Sequence, residues 1–193
     1  MVHKLILGVV FCLAAFAPLR ASAGESCEQV QQWAAQNADR LPATYDAFIQ
    51  YSAEYRRAMW QYLSPEVKSA IWTRHLELYL AAHPDLTAEQ SDVVRQALYL
   101  ATPEHFEVGA RAATQAALKD LKSRGELVFD RAELARILVQ IGPVDRGPVL
   151  MQPLCDCSDD FDCGGGSCSS SRCSLSFGCG PFGMDTCFGF CRF

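Results

Sequence analysis

The stretch CDCSDDFDCGGGSCSSSRCSLSFGCGPFGMDTCFGFCRF, residues 155–193, holds eight of the chain's ten cysteines. In so short a segment that density marks a disulfide scaffold. Below roughly 40 residues a chain buries too little apolar surface to offset the entropy of ordering its backbone, so bridges, metal or oligomerisation must help. Cys155, Cys157, Cys163, Cys168, Cys173, Cys179, Cys187 and Cys191 follow the pattern C-x-C-x5-C-x4-C-x4-C-x5-C-x7-C-x3-C, an even number able to close four bridges. Each bridge contributes about 2–4 kcal/mol, chiefly by restricting the unfolded chain. Spacing alone leaves the connectivity open.

Metal is the rival explanation for such a cluster. The segment has Cys155-x-Cys157 and Cys187-x3-Cys191, but no pair of C-x2-C knuckles and no histidine, so disulfides are favoured and neither metal nor cofactor is expected. Six phenylalanines accompany the cysteines: Phe161, Phe177, Phe182, Phe188, Phe190 and Phe193. The last five have two readings of equal weight. They form an exposed apolar patch that contacts a membrane or protein target, or a small core beneath the bridges.

Immediately upstream, residues 143–154 belong to neither neighbour. Gly142-Pro143, Gly147-Pro148 and Pro153 prevent helix continuation and leave an exposed connection. Such backbone is open to a processing protease; an ordinary interdomain linker has the same composition.

Residues 24–142 read as an all-α domain of about six helices. Ser26-Cys27-Glu28-Gln29 matches a capping box, and TYDAFIQYSAEYRRAMWQYL (44–63) carries Phe48, Tyr51, Tyr55, Met59 and Tyr62 on one face with a break near Ser52. Ser64-Pro65-Glu66 opens a helix that ends at His83-Pro84, and Thr87-Ala88-Glu89-Gln90 repeats the capping box. Thr102-Pro103-Glu104 starts another, and Asp130-Arg131-Ala132-Glu133 opens the last, closing at Gly142-Pro143. The fold class expected is therefore an all-α helical domain followed by a small disulfide-rich C-terminal module.

Residues 1–23 have the form of a secretory signal peptide: a short n-region to Lys4, an apolar run from Leu5 to Ala17, and Ala21-Ser22-Ala23 before Gly24. Secretion agrees with the cysteine usage. Removing this segment takes away Lys4 and Arg20, leaving 15 basic against 22 acidic side chains, so the formal charge falls from −5 to −7. So acidic a chain is a poor nucleic-acid binder. Nine cysteines remain, with Cys27 the odd one upstream of the tail.

The helical region carries no persuasive catalytic constellation. His75, Glu77 and His83 lack the H-E-x-x-H spacing that puts two imidazoles one turn apart, and capping or core roles suit them better. Glu104 and His105 read as first-turn charge, the Arg56-Arg57 pair as a solvated face, and Trp60, Ile71, Trp72, Leu76 and Tyr79 as core. No catalytic residue is assigned.

The stretch YRRAMWQYLSPEVKSAIWTRHLELYLAAHPDLTAEQ (55–90), then ATPEHF (101–106) and a C-x-C-S tail with eight cysteines, resembles the bacteriocin fulvocin C-related proteins of myxobacteria and similar bacteria. The resemblance spans nearly the whole chain. It implies an exported precursor whose cysteine-rich end is an antibacterial peptide, with the eight tail cysteines as half-cystines and competing bacterial cells as the target, through membrane or surface receptor. The alternative is an uncleaved secreted protein that binds a cell-surface or extracellular partner, the tail serving as a rigid interaction module.

Overall fold

The structure, a computed structural model, describes residues 27–143, 157–170 and 176–192. The signal segment, the linker beyond Pro143, Cys155, Cys173, Phe193 and the side chains of Cys27 and Phe177 lie outside the described residues.

Among the described residues eight α-helices precede the strands: α1 (Cys27–Gln36), α2 (Tyr45–Phe48), α3 (Ala53–Trp60), α4 (Pro65–Ala82), α5 (Ala88–Leu100), α6 (Pro103–Phe106), α7 (Arg111–Gly125) and α8 (Arg131–Leu138). Side chains that satisfy the first free amides set several starts. Ser64 accepts from Val67 N at the head of α4, and Asp130 from Glu133 N at 2.8 Å at the head of α8. Thr87 and Gln90 form a reciprocal capping box on α5, and Gln90 Nε2 also reaches Val128 O at 2.9 Å, tying α5 to the turn between α7 and α8.

The break expected near Ser52 is present: the piece from Thr44 to Leu63 is two helices, parted by Ile49–Ser52. Three expectations change. Tyr62 falls beyond the second helix and is exposed while Trp60 turns inward. Helix α7 was not foreseen as separate; it begins at Ala110, which offers no capping side chain. Arg56 is not on a solvated face: it is 7 % exposed, and its guanidinium donates to Pro143 O at the exit of the helical domain. A Cβ on Gly142 would meet Arg56 Nη1 at 2.5 Å, so a larger residue at that exit would displace the arginine.

Helices α1 and α3, α4 and α5, α4 and α6, and α5 and α7 pack pairwise around Met59, Ile71, Trp72, Leu76, Val94, Leu121, Leu134 and Leu138, all fully buried. Trp60, Ile71, Trp72, Leu76 and Tyr79 are core, as their spacing predicts.

The C-terminal part is built of short strands: β1 (Ser167–Ser169), β2 (Ser176–Cys179), β3 (Asp185–Cys187) and β4 (Phe190–Arg192). Strand β1 pairs antiparallel with β4, Cys168 opposite Cys191; β2 pairs with β3, Ser176 opposite Cys187, with an irregularity at Gly178. Disulfides join Cys157 to Cys168, Cys163 to Cys191 and Cys179 to Cys187, with Cα separations of 5.8, 5.2 and 5.3 Å. The fold is thus mostly helical with a small bridged module. That module does not stand apart: Phe161, Phe182 and Met184 belong to the same hydrophobic cluster as the helices, and β2 packs directly on α3.

Candidate functional site

Within the module the bridges are reinforced by carboxylates. Asp162 is 5 % exposed; its Oδ1 accepts from Gly180 N at 2.7 Å, and its Oδ2 from Ser158 N at 2.5 Å and Ser158 Oγ at 2.7 Å. One side chain therefore fastens the Ser158 turn to the loop that follows β2. Burial pushes the Asp162 carboxyl up from the ordinary aspartate range, against the opposing pull of these hydrogen bonds. Asp160 Oδ1 accepts from Cys168 N at 2.7 Å and holds the start of the β1–β4 ribbon. Cys157, Cys163 and Cys191 bring their sulfurs within 4.8 Å of one another, a spacing a metal would accept, but each is already in a bridge and has no thiolate to offer.

The loop between β2 and β3 reaches into the helices. Gly180-Pro181-Phe182-Gly183 makes a tight turn in which Phe182 takes φ 58°, among the described residues the sole non-glycine at positive φ. Its ring has no solvent exposure. It stacks on Trp72 of α4 at 4.5 Å between centroids and on Phe106 of α6 at 6.0 Å. Trp60 of α3 closes the edge: a Cβ on Gly183 would lie 2.6 Å from its Nε1, so glycine is what permits this approach. The slot's walls touch one another independently of the module, with Trp60 edge-on to Trp72 at 6.5 Å and to Phe106 at 6.3 Å.

Polar contacts flank the slot. From α7, Arg111 donates to Met184 O, and Gln115 Nε2 donates to Asp185 Oδ1 at 2.8 Å. Burial raises the Asp185 carboxyl, with the Gln115 hydrogen bond opposing. Burial lowers the Lys68 ammonium, whose Nζ lies 5.7 Å from the Trp60 ring centroid. Further along α7, Lys122 Nζ sits 3.2 Å from Asp159 Oδ2 and 4.3 Å above the Phe161 ring. Lys122, Glu126, Arg131, Asp159, Phe161 and Phe188 line an open groove of about 350 Å³ where α7 and α8 meet the module.

The five phenylalanines singled out from sequence are therefore not one surface. Phe182 is wholly inside the helical core and Phe190 is half-buried, whereas Phe188 is 49 % exposed at the groove's rim. In the uncut chain Phe182 is a core residue, and the core is the helices' and not one beneath the bridges. Sequence reasoning missed Phe106, Arg111, Gln115 and Lys122 as contacts of the module; the signal available was the excess of glycine about Phe182, which announces a close backbone approach without saying to what.

The histidines serve structure. His75 donates Nε2–H to Arg136 O at 2.8 Å, and burial lowers its pKa against the opposing pull of that hydrogen bond. His83 donates Nδ1–H to Tyr79 O at 2.8 Å and stacks on the Tyr79 ring at 4.1 Å, capping α4. Glu77 is exposed beside Arg74 at 3.9 Å.

Comparison with protein-family models, curated proteins and solved structures finds no match to this chain. Intramolecular disulfides point to an oxidising environment, and among the described residues no helix is long and apolar enough to cross a membrane.

Proposed function

We propose that the chain is a secreted, bacteriocin-like precursor in which the helices cover the aromatic turn of a disulfide-bridged C-terminal peptide, and that this peptide is an antibacterial effector. The burial of Phe182 between Trp72 and Phe106 carries the reading. A phenylalanine-rich peptide would otherwise expose that turn; here the rest of the chain withholds it from water. The bridges between described cysteines all close within the module, so its frame does not depend on the linker. Separation would uncover Phe161, Phe182 and Met184 in addition to Phe188, which is already outside, and a peptide with such a face has what it needs to engage a membrane or an apolar receptor. The reading requires no catalytic residue. It also agrees with the fulvocin C-related resemblance, in which the cysteine-rich end is the active part.

The test is growth inhibition by purified, oxidised residues 143–193, their bridges verified by mass, across a broad panel of bacteria at micromolar concentration. Inhibition by the peptide that exceeds inhibition by the whole chain is expected; no effect on any strain rejects the proposal. One observation favours the uncleaved alternative: the module shares its hydrophobic cluster with the helices, as parts of one working molecule do. Intact mass of the exported product separates the two, a species starting between Arg146 and Cys155 supporting the effector and one starting at Gly24 supporting the uncut binder.

A further inference from the structure

The contact between helices and module has the construction of a binding site with its ligand in place. The ligand side keeps its shape through its own bonds. The Cys179–Cys187 bridge closes the base of the loop, Asp162 holds Gly180 N at 2.7 Å, and Gly183 N donates back to Gly180 O at 3.0 Å. The receptor side has contacts of its own, since α4 and α6, which carry Trp72 and Phe106, pack on each other and the Trp60 ring of α3 lies edge-on to both. Shape is joined by charge. Arg111 meets the Met184 carbonyl, Gln115 meets the Asp185 carboxylate, and Lys122 meets Asp159. The basic and amide groups all stand on α7 and their acceptors all on the module. Among the described residues no covalent bond other than the chain itself joins the two sides.

We propose that the helical half is a specific noncovalent binding partner of the C-terminal module, gripping the Phe182 turn in the Trp60–Trp72–Phe106 slot, and that it keeps hold of the module after the linker is cut. Cutting would then be necessary for release but not sufficient, and dissociation from the slot would be the controlling step. That the grip restrains an effector rests on the function proposed above; the grip itself does not.

The experiment uses the full chain with a site-specific protease sequence inserted within residues 144–154 and Cys27→Ser to exclude a covalent tether. After oxidation, verification of the bridges by mass and complete nicking, the two pieces are run on gel filtration over a dilution series. At micromolar concentration they are expected to co-elute at the size of the uncut chain. Phe182→Ala should weaken the association about 100-fold, as loss of a buried aromatic anchor does. The pair Arg111→Ala/Gln115→Ala, which removes no residue of the hydrophobic cluster, should weaken it about 10-fold. Each variant is first shown, uncut, to keep its bridges and its helical circular dichroism. Separation of the parent's pieces at micromolar concentration overturns the proposal, as does unchanged affinity in both variants. Neither result would bear on whether the isolated peptide kills bacteria.

Discussion

Replacing Phe182 offers the sharpest test of how module and helices cohere, because two effects at one residue have opposite signs. The ring is fully buried and stacked on Trp72 at 4.5 Å, and truncating such a phenylalanine to alanine costs about 3–5 kcal/mol. The backbone there has φ 58°, a left-handed conformation that costs an L residue about 1–2 kcal/mol and glycine almost nothing. Alanine keeps that cost; glycine removes it and gives back part of the gain through the greater freedom of its unfolded chain. Phe182→Gly should therefore be more stable than Phe182→Ala by about 0.5–1 kcal/mol, the reverse of the order seen in a helix or strand. Urea unfolding of the oxidised proteins, followed by tryptophan emission, measures both: Trp72 lies against the substituted side chain, and equal slopes would show that only stability changed. A loss below about 1 kcal/mol in Phe182→Ala would mean that the turn is not part of the cooperative core. A glycine variant weaker than the alanine variant would mean that the turn is not left-handed.

Gly180 also has positive φ, 70°, and a Cβ there would lie 1.9 Å from Asp185 Oδ2; Gly180→Ala should cost at least about 2 kcal/mol in the same assay. The folded-state carboxyls of Asp162 and Asp185 are raised above their ordinary value of 3.8, chiefly by burial, so the stability they confer is fully present below that value and is lost as pH rises through the folded value. Urea midpoints should therefore fall from about pH 4 toward neutrality on account of these groups, and Asp162→Asn should flatten that slope while lowering the midpoint overall, since an amide nitrogen cannot accept from Ser158; an unaltered slope would reject the assignment. Phe188, half exposed, should tolerate serine within about 0.5 kcal/mol of stability, yet Phe188→Ser should reduce inhibition of bacterial growth if the groove's rim meets the target.

Helix starts were legible wherever a capping side chain announces them, as at Ser64, Thr87 and Asp130. Helix α7 was not, because Ala110 caps nothing and its entry is a 3-10 turn over Val108–Ala110. Arg56 looked like surface because arginine usually is; its burial depends on Pro143, 87 residues away, supplying a carbonyl. The same distance problem hides the candidate site. Cysteine density reveals that residues 155–193 need bridges, but the partners of Phe182 stand on α4 and α6, and nothing local to the tail says that a tryptophan at position 72 waits for its ring. Periodicity reports which face of a helix is apolar, and Trp72 is inside on that account alone; it does not report whether the covering atoms come from another helix or from the far end of the chain.

The dependence between the two parts is unequal, and that inequality gives the slot its meaning. Among the described residues the common cluster holds 26 buried residues, 23 from the helical half and Phe161, Phe182 and Met184 from the module, so the helical half retains most of its described core without it. Among the module's described residues the second, smaller cluster is Cys179 with Cys187, so a bridge stands where a core would. Bridges restrict the unfolded chain but shield no phenylalanine from water, and the aromatic turn therefore needs a cover that the module cannot provide. The helical half provides it and takes less in return: β2 packs on α3, but most of the described core is the helical half's own. That one-sidedness is the relation of a receptor to its ligand, and it makes the fate of the Phe182 turn, covered or uncovered, the structural variable on which the module's encounter with any partner depends.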